Sequence, residues 1–255
     1  MDKINKNRFD DFFIDANYLS LKNYLYNYKL RKRMVEKEFR NIYEGIILEV
    51  GSGISPTITF CDSIVYVDIS FAALQELKKV HKNGFYVVAD VTCLPFKSES
   101  VSHVVCSEVI EHIENDKDLV MEIERVLESS GSLVITFPHR KIYLSFDDYF
   151  VGHYRRYEMD SMINLLTNAG LTPVLTKKVL GLLDKFTMAS LCLFIRLFKI
   201  KTKGKTVSTG NQNIHRFLYP IFQWLNRLYA FFAWIDACLT PLKFSTVLLI
   251  KAIKK

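Results

Sequence analysis

A doubly wound α/β fold, with a mainly parallel seven-stranded sheet covered by helices on both faces, is predicted by three features of this 255-residue sequence. Short apolar runs alternate with amphipathic helical patterns, as right-handed strand–helix–strand crossovers require. The runs are nearly continuous in apolar residues, which suits strands buried on both faces. Glycines or acids stand at the ends of successive runs, where an open parallel sheet forms a ligand crevice.

The elements follow in chain order. Leu21, Tyr24, Leu25 and Tyr28, continued by Val35, Phe39 and Ile42, predict a helical cap over Leu19–Tyr43 that Gly45 ends. Strands are predicted at Ile46–Val50, Ile64–Val67, Phe85–Ala89, Ser102–Cys106 and Ser132–Phe137. Helical patterns occupy Phe71–Val80, Asp116–Leu127 and Met159–Ala169, the last closing at Gly170. Thr172–Val179 and Ser245–Ile253 supply two more strands, bringing the sheet to seven. Between them the pattern changes to two apolar helical stretches, Leu182–Ile200 and Ile214–Leu239, split by a polar linker at Lys201–Asn213. The expected division is a core with its helical cap at 1–180, a hydrophobic basic helical insertion at 181–241, and a returning strand at 242–255.

Composition narrows the function classes. At 49% hydrophobic content the chain can bury a large core, and ten glycines and six prolines exclude collagen-like or low-complexity organisation. Cys61, Cys93, Cys106, Cys192 and Cys238 are scattered, odd in number and form no CxxC pair, so neither a disulfide framework nor a metal site is expected. Met1–Arg8 lacks a following apolar signal region, and neither apolar stretch after residue 181 reaches the roughly 20 clean apolar residues of a bilayer span. A cytoplasmic location is expected, with peripheral membrane contact suggested by charge: residues 171–255 hold 14 Lys and Arg against 2 Asp and Glu, mixed with aromatics. In this segment Met188, Leu191, Cys192, Ile195 and Phe198 form one apolar stripe, while Gln223, Asn226, Arg227 and Ala230 form a narrow non-apolar face. A buried helical subdomain with charges on its rim reads the same pattern equally well. No nucleic-acid module is visible, so a nucleic-acid partner is not expected.

The chemistry concentrates at strand ends. Ile47-Leu48-Glu49-Val50-Gly51-Ser52-Gly53 is an apolar strand running into a glycine turn, where a ligand can approach the backbone without a Cβ in its way. Pro56 stands where the third glycine of GxGxxG would fall, and only ten residues separate Gly53 from the next strand, so the usual following helix must be short or absent. Asp68, Asp90 and Ser107-Glu108 close the next three runs. Each acid could instead be a helix N-cap or a turn residue. The ordered series EVGSG, YVDIS, ADVTCLPF, CSEVIEHI and GSLVITFP resembles the class I S-adenosylmethionine-dependent methyltransferases, with their Rossmann-like sheet, over residues 46–180.

That resemblance implies that Glu49, Gly51, Ser52 and Gly53 line the methionine part of S-adenosylmethionine. Asp68 would take the ribose hydroxyls, Ile69 would pack on the adenine, Asp90 with Val91 would meet the adenine amino group, and Cys106 and Ser107 would pass near the sulfonium. It also implies an antiparallel last strand. The segment Gly152-His153-Tyr154-Arg155-Arg156-Tyr157 is similar to a substrate loop of a subset of these enzymes. His153 and His112 are the candidate bases, and Arg155, Arg156, Tyr157 and His139 the candidate acceptor contacts. A fork of guanidinium donors suits phosphate or carboxylate; the alternative is that Arg155 and Arg156 staple the loop to Asp147, Asp148, Glu158 or Asp160. Methyl transfer to a small-molecule, glycan or lipid-linked acceptor is the expected function, at an anionic membrane surface if the basic aromatic segment serves there. A cofactor-binding regulatory module without turnover, or a nicotinamide oxidoreductase, are the alternatives.

Overall fold

The computed structural model describes residues 25–40, 45–197 and 212–255. Among them, β1 (Ile47–Val50), β2 (Ile64–Asp68), β3 (Phe85–Val88), β4 (Val101–Ser107), β5 (Leu127–Pro138), β6 (Leu171–Leu180) and β7 (Val247–Lys254) form one sheet in the order β3-β2-β1-β4-β5-β7-β6. Neighbours from β3 to β5 pair in parallel, and β7 runs antiparallel to both β5 and β6. The mainly parallel seven-stranded sheet is therefore as the sequence predicts. The largest shift of a boundary is in β5, which begins at Leu127 rather than Ser132 and whose pairing with β4 slips register between Val101 and His103.

The central strands are buried on both faces, and their side chains alternate between two cores with the period of two that a strand imposes. Leu48, Val50, Val104, Cys106, Leu133, Ile135 and Phe137 join one core, beneath α3 (Asp116–Val126) and α5 (Met159–Asn168). Ile47, Val105, Val134 and Leu249 join the other, beneath α1 (Tyr26–Phe39) and α2 (Phe71–Val80). Helix α1 buries Tyr26, Tyr28, Leu30, Val35 and Phe39; Tyr28, Val35 and Phe39 belong to the expected stripe, whereas Tyr26 and Leu30 do not, and Leu25, expected to be helical, is the extended residue before the first turn. The expected ends of that cap, 19–24 and 41–43, lie outside the described residues. Ser70 starts α2 by accepting from the Ala73 N–H at 3.2 Å. No helix follows the glycine turn: residues 51–63 are irregular, as the short spacing and Pro56 require.

Two further helices, α6 (Leu182–Leu197) and α7 (Gln212–Leu239), stand between β6 and β7. Residues 198–200 and most of the polar linker, 201–211, lie outside the described residues, and α7 starts two residues before the predicted Ile214. Its small side chains face inward: Ala233 and Ala237 are buried, and Tyr229 meets Tyr26 edge-on with centroids 4.7 Å apart. Asp236 accepts from the Leu183 N–H at 2.8 Å, close to Gly181. Trp224, Leu228, Phe231, Phe232 and Trp234 are left exposed.

Candidate functional site

A cavity of about 430 Å³ opens at the carboxyl ends of β1, β2 and β4. This is the switch point, where the chain crosses from one side of β1 to the other and the diverging connections leave a crevice. Gly51 and Gly53 take the turn at its floor with φ of +66° and +54°, a region closed to most side chains. A Cβ on Gly51 would lie 2.4 Å from Val109 Cγ2, so this glycine is needed for packing as well as for the turn.

The acid of β1 holds the segment that stands in for the missing helix. Glu49 Oε1 accepts from Thr57 N–H at 2.6 Å and Thr57 Oγ1 at 2.9 Å, and Oε2 accepts from Ile58 N–H at 3.0 Å. From the other side, Tyr28 donates to the Pro56 carbonyl at 2.8 Å and Lys32 to Thr59 Oγ1 at 2.7 Å. Burial pushes the Glu49 carboxyl up to about 7, against the pull of its three donors. Asp68 Oδ2 accepts from Gly53 N–H and its Oδ1 from Ser70 N–H, both at 2.8 Å, so this acid braces the glycine turn and the start of α2 at once. Asp90 is exposed at the cavity rim, where its Oδ1 accepts from the N–H and hydroxyl of Thr92. Ile69 and Val91 supply apolar wall between these acids, and Ser107 shares a 3.0 Å hydrogen bond with Thr136.

The opposite wall is one charged cluster. The short helix α4 (Phe146–Val151) opens with a capping box between Ser145 and Asp148. Asp148 Oδ1 accepts from Arg156 Nε at 2.8 Å and faces His153 Nδ1 at 2.9 Å. Lys185, from α6, reaches Asp147 Oδ2 at 2.9 Å and Asp148 Oδ2 at 3.3 Å. Burial raises the Asp148 carboxyl, but the His153 and Arg156 bonds outweigh it and hold the group well below the usual range. Arg31 of α1 stands 3.8 Å from Glu108. Asp184 accepts from Tyr26 OH at 2.8 Å, and burial raises its carboxyl. His112 Nδ1 lies 3.2 Å from the Gly152 carbonyl, and its ring meets that of His153 edge-on at 4.8 Å between centroids.

Of the residues singled out in the sequence, Glu49, Gly51, Ser52, Gly53, Asp68, Ile69, Asp90, Val91, Ser107, His112, His153 and Arg156 line this cavity. Four do not, and the expectations for them are corrected. Cys106 points into the core under α3 because alternation along β4 puts it on that face, and burial raises its thiol far above the ordinary range. Arg155 turns away to Asp116 Oδ2 at 3.0 Å and the Glu114 carbonyl at 2.5 Å. It staples the loop, though to an acid outside the four anticipated. Tyr157 is buried, and its hydroxyl donates to the same Asp116 oxygen at 2.9 Å. His139 is buried against the Ser245 carbonyl, 2.9 Å from Nδ1, and burial lowers its pKa.

Sequence reasoning left out Arg31 and Asp184 on the cavity wall, and named Glu108, Asp147 and Asp148 only as a strand-end acid and as staple partners. Glu108, Asp147 and Asp148 carried local signals, as the acid directly after the fourth strand and the acids just before the His153–Arg156 loop; Arg31 and Asp184 arrive from helices distant in sequence. The wall holds seven acids against two arginines, a surface that suits a cationic ligand. The Ser52 and Ser55 hydroxyls are buried in it without a hydrogen-bond partner. Such orphaned groups call for a polar ligand or water. This donor and acceptor set fits a zwitterionic adenosyl cofactor with a positive sulfonium.

Comparison with known proteins gives the same direction. Residues 48–135 match the family model described as "Methyltransferase domain". A "Probable S-adenosylmethionine-dependent methyltransferase" of Mycobacterium tuberculosis is 28% identical over 128 residues, 49% of this chain and 47% of that protein. The chain spans about half the length of the curated relatives it matches. Phosphoethanolamine N-methyltransferase 2 of Haemonchus contortus, solved with S-adenosyl-L-methionine, superposes with a TM-score of 0.59 at 20% identity, covering 96% of this chain and 60% of that one. A [4+2]-cyclase superposes at 0.55 with 16% identity over 88% of this chain and 81% of that one, so the shared fold does not fix the reaction. Residues 48–135 thus match a methyltransferase domain, and the strand order, with its antiparallel seventh strand, gives the chain the Rossmann-like fold of the solved methyltransferases it resembles.

Proposed function

We propose that this chain binds S-adenosylmethionine in the cavity and transfers its methyl group to an oxygen, nitrogen or carbon nucleophile. The acid-rich wall around the Gly51–Gly53 turn carries this reading. Asp68 would offer its remaining lone pairs to the ribose diol, with Ile69 and Val91 flanking the adenine and Asp90 accepting from its amino group. Glu49 would act through the loop it ties down rather than by direct contact, while Gly51, Ser52 and Gly53 present backbone and hydroxyl to the methionine end. Ser107 would lie near the sulfonium, with Cys106 supporting it from behind. The bound group supplies an electrophilic methyl on a good leaving group, so the chain's main task is alignment. His112 and His153, on the wall facing that end, are the groups placed to take a proton from a hydroxyl acceptor. Arg156 is held by Asp148 and lends the acceptor side a fixed positive charge.

The acceptor reading follows from α7. Its exposed Trp224, Leu228, Phe231, Phe232 and Trp234 make an apolar surface, and residues 171–255 as a whole carry 14 Lys and Arg against 2 Asp and Glu. Such a combination suits the headgroup layer of an anionic leaflet and favours a lipid-linked acceptor over a free small molecule or glycan. Among the described residues no helix is long and apolar enough to cross a membrane.

Calorimetry with S-adenosylhomocysteine tests the cofactor site: Asp68→Ala should weaken binding about tenfold to hundredfold, the loss of one charged hydrogen-bond partner. No binding by the full chain would refute the reading. Binding without methyl transfer to any fraction of a cell extract would favour the regulatory module. Co-sedimentation with anionic vesicles tests the surface. Binding should fall with salt and with Trp224→Ser combined with Phe231→Ser, and equal absence from pellets of both proteins would remove the membrane.

A further inference from the structure

Glu111 and His112 lie on the short turn after β4, and His153 follows α4. Glu111 is fully buried, and neither of its carboxylate oxygens makes a hydrogen bond. A buried carboxylate left in that state is costly unless a cation meets it. Its Oε1 faces His153 Nε2 at 3.7 Å, and one donor atom from each of Glu111, His112 and His153 lies within 4.8 Å of the other two.

The tautomers are set from behind. His153 Nδ1 is 2.9 Å from the Asp148 carboxylate, itself held by Arg156 and Lys185, so Nδ1 carries a proton and Nε2 is the nitrogen turned toward Glu111. His112 Nδ1 faces the Gly152 carbonyl at 3.2 Å, an acceptor only, so this nitrogen too carries a proton and Nε2 is the one that can serve as a ligand. An imidazole whose rear nitrogen donates to a carboxylate or carbonyl is the arrangement that orients histidine ligands around a metal.

We propose that Glu111, His112 and His153 bind one divalent ion of the first transition series, such as zinc, cobalt or iron. Two imidazoles favour that class over magnesium or calcium, which take oxygen ligands. Bonds of about 2.1 Å would bring the donor atoms to about 3.4 Å apart in a tetrahedral site, so the cluster must contract by roughly an ångström on loading. Three protein ligands leave a coordination position, and because His112 and His153 line the cavity, that position faces its interior. A hydroxyl acceptor bound there would be polarised by the ion, which lowers its pKa so that water in the cavity can take the proton, a role the two coordinated imidazoles no longer fill. The site is read from these side chains alone and goes beyond the methyl-transfer reading.

The test titrates the full chain, stripped by a chelator, with Co²⁺, followed by its visible d–d absorption and by calorimetry. One equivalent per chain is expected, with affinity at least tenfold weaker in Glu111→Gln and in His153→Gln. S-adenosylhomocysteine affinity, measured in parallel, should change less than threefold. Glu111→Gln keeps the shape of a side chain that makes no hydrogen bond, so its melting temperature without metal should not fall; should His153→Gln fail to fold, Glu111→Gln decides alone. Absence of stoichiometric Co²⁺ binding by the full chain, or Co²⁺ affinity unchanged in Glu111→Gln, overturns the proposal. A chain that binds S-adenosylhomocysteine but not Co²⁺ rejects the metal site alone, and the reverse result rejects only the cofactor reading.

Discussion

Gly51→Ala separates two reasons for a glycine at the cavity floor. The residue has φ +66°, and an added Cβ would lie 2.4 Å from Val109 Cγ2 and 3.0 Å from Val109 Cγ1. Left-handed backbone costs a non-glycine residue about 1–2 kcal/mol. Forcing a methyl into a packed position adds about 1–3 kcal/mol. The total of roughly 2–5 kcal/mol should lower the melting temperature by about 4–20 °C, at about 2–4 °C per kcal/mol for a chain of this size. Gly51 is thus a folding residue before it is a ligand residue, and a bulkier Gly51→Val would not leave the fold intact. Denaturant unfolding of Gly51→Ala, Val109→Ala and the double variant isolates the clash. The double variant should recover the steric part, giving a coupling of about 1–3 kcal/mol, while the backbone part persists. Strict additivity would refute the packing argument.

Three further outcomes follow from the same contacts. Glu49 keeps its proton up to about pH 7 in the fold but only to its ordinary 4.5 when unfolded. Between those values the folded state binds the extra proton, so stability should fall by about 3 kcal/mol as pH rises through that window, and Glu49→Gln should flatten the slope; the same loss of stability in the parent and in Glu49→Gln across pH 4.5, 6 and 8 would contradict it. Arg155→Ala, which breaks a partly exposed pair with Asp116, should cost about 1 kcal/mol and leave S-adenosylhomocysteine affinity unchanged by calorimetry. Arg156→Ala, which breaks the buried pair with Asp148, should cost about 3 kcal/mol or more in urea unfolding, and equal costs for the two arginines would show the assignment of staple and wall to be mistaken.

The sequence by itself determined the sheet. Runs such as Ile64–Asp68 and Phe85–Val88 need only their own residues to be read as strands, and the helix between them makes the crossover parallel. The acids and glycines at the strand ends placed the cavity floor for the same reason, since a strand end is a local property. Tertiary structure alone decided how neighbouring side chains divide. Arg155 and Arg156 are adjacent, yet one is drawn to Asp116, 39 residues back, and the other to Asp148. Helix α7 has an apolar pattern that reads as core, but Ala233 and Ala237 allow the closer approach to the body and the aromatics are left outside. The Tyr26–Asp184 contact joins residues 158 apart in the chain. Periodicity records how much of a residue is buried because burial repeats with the element's own geometry; it holds no record of the partner, which is chosen by whatever distant segment the fold brings within about 3 Å, the reach of a hydrogen bond.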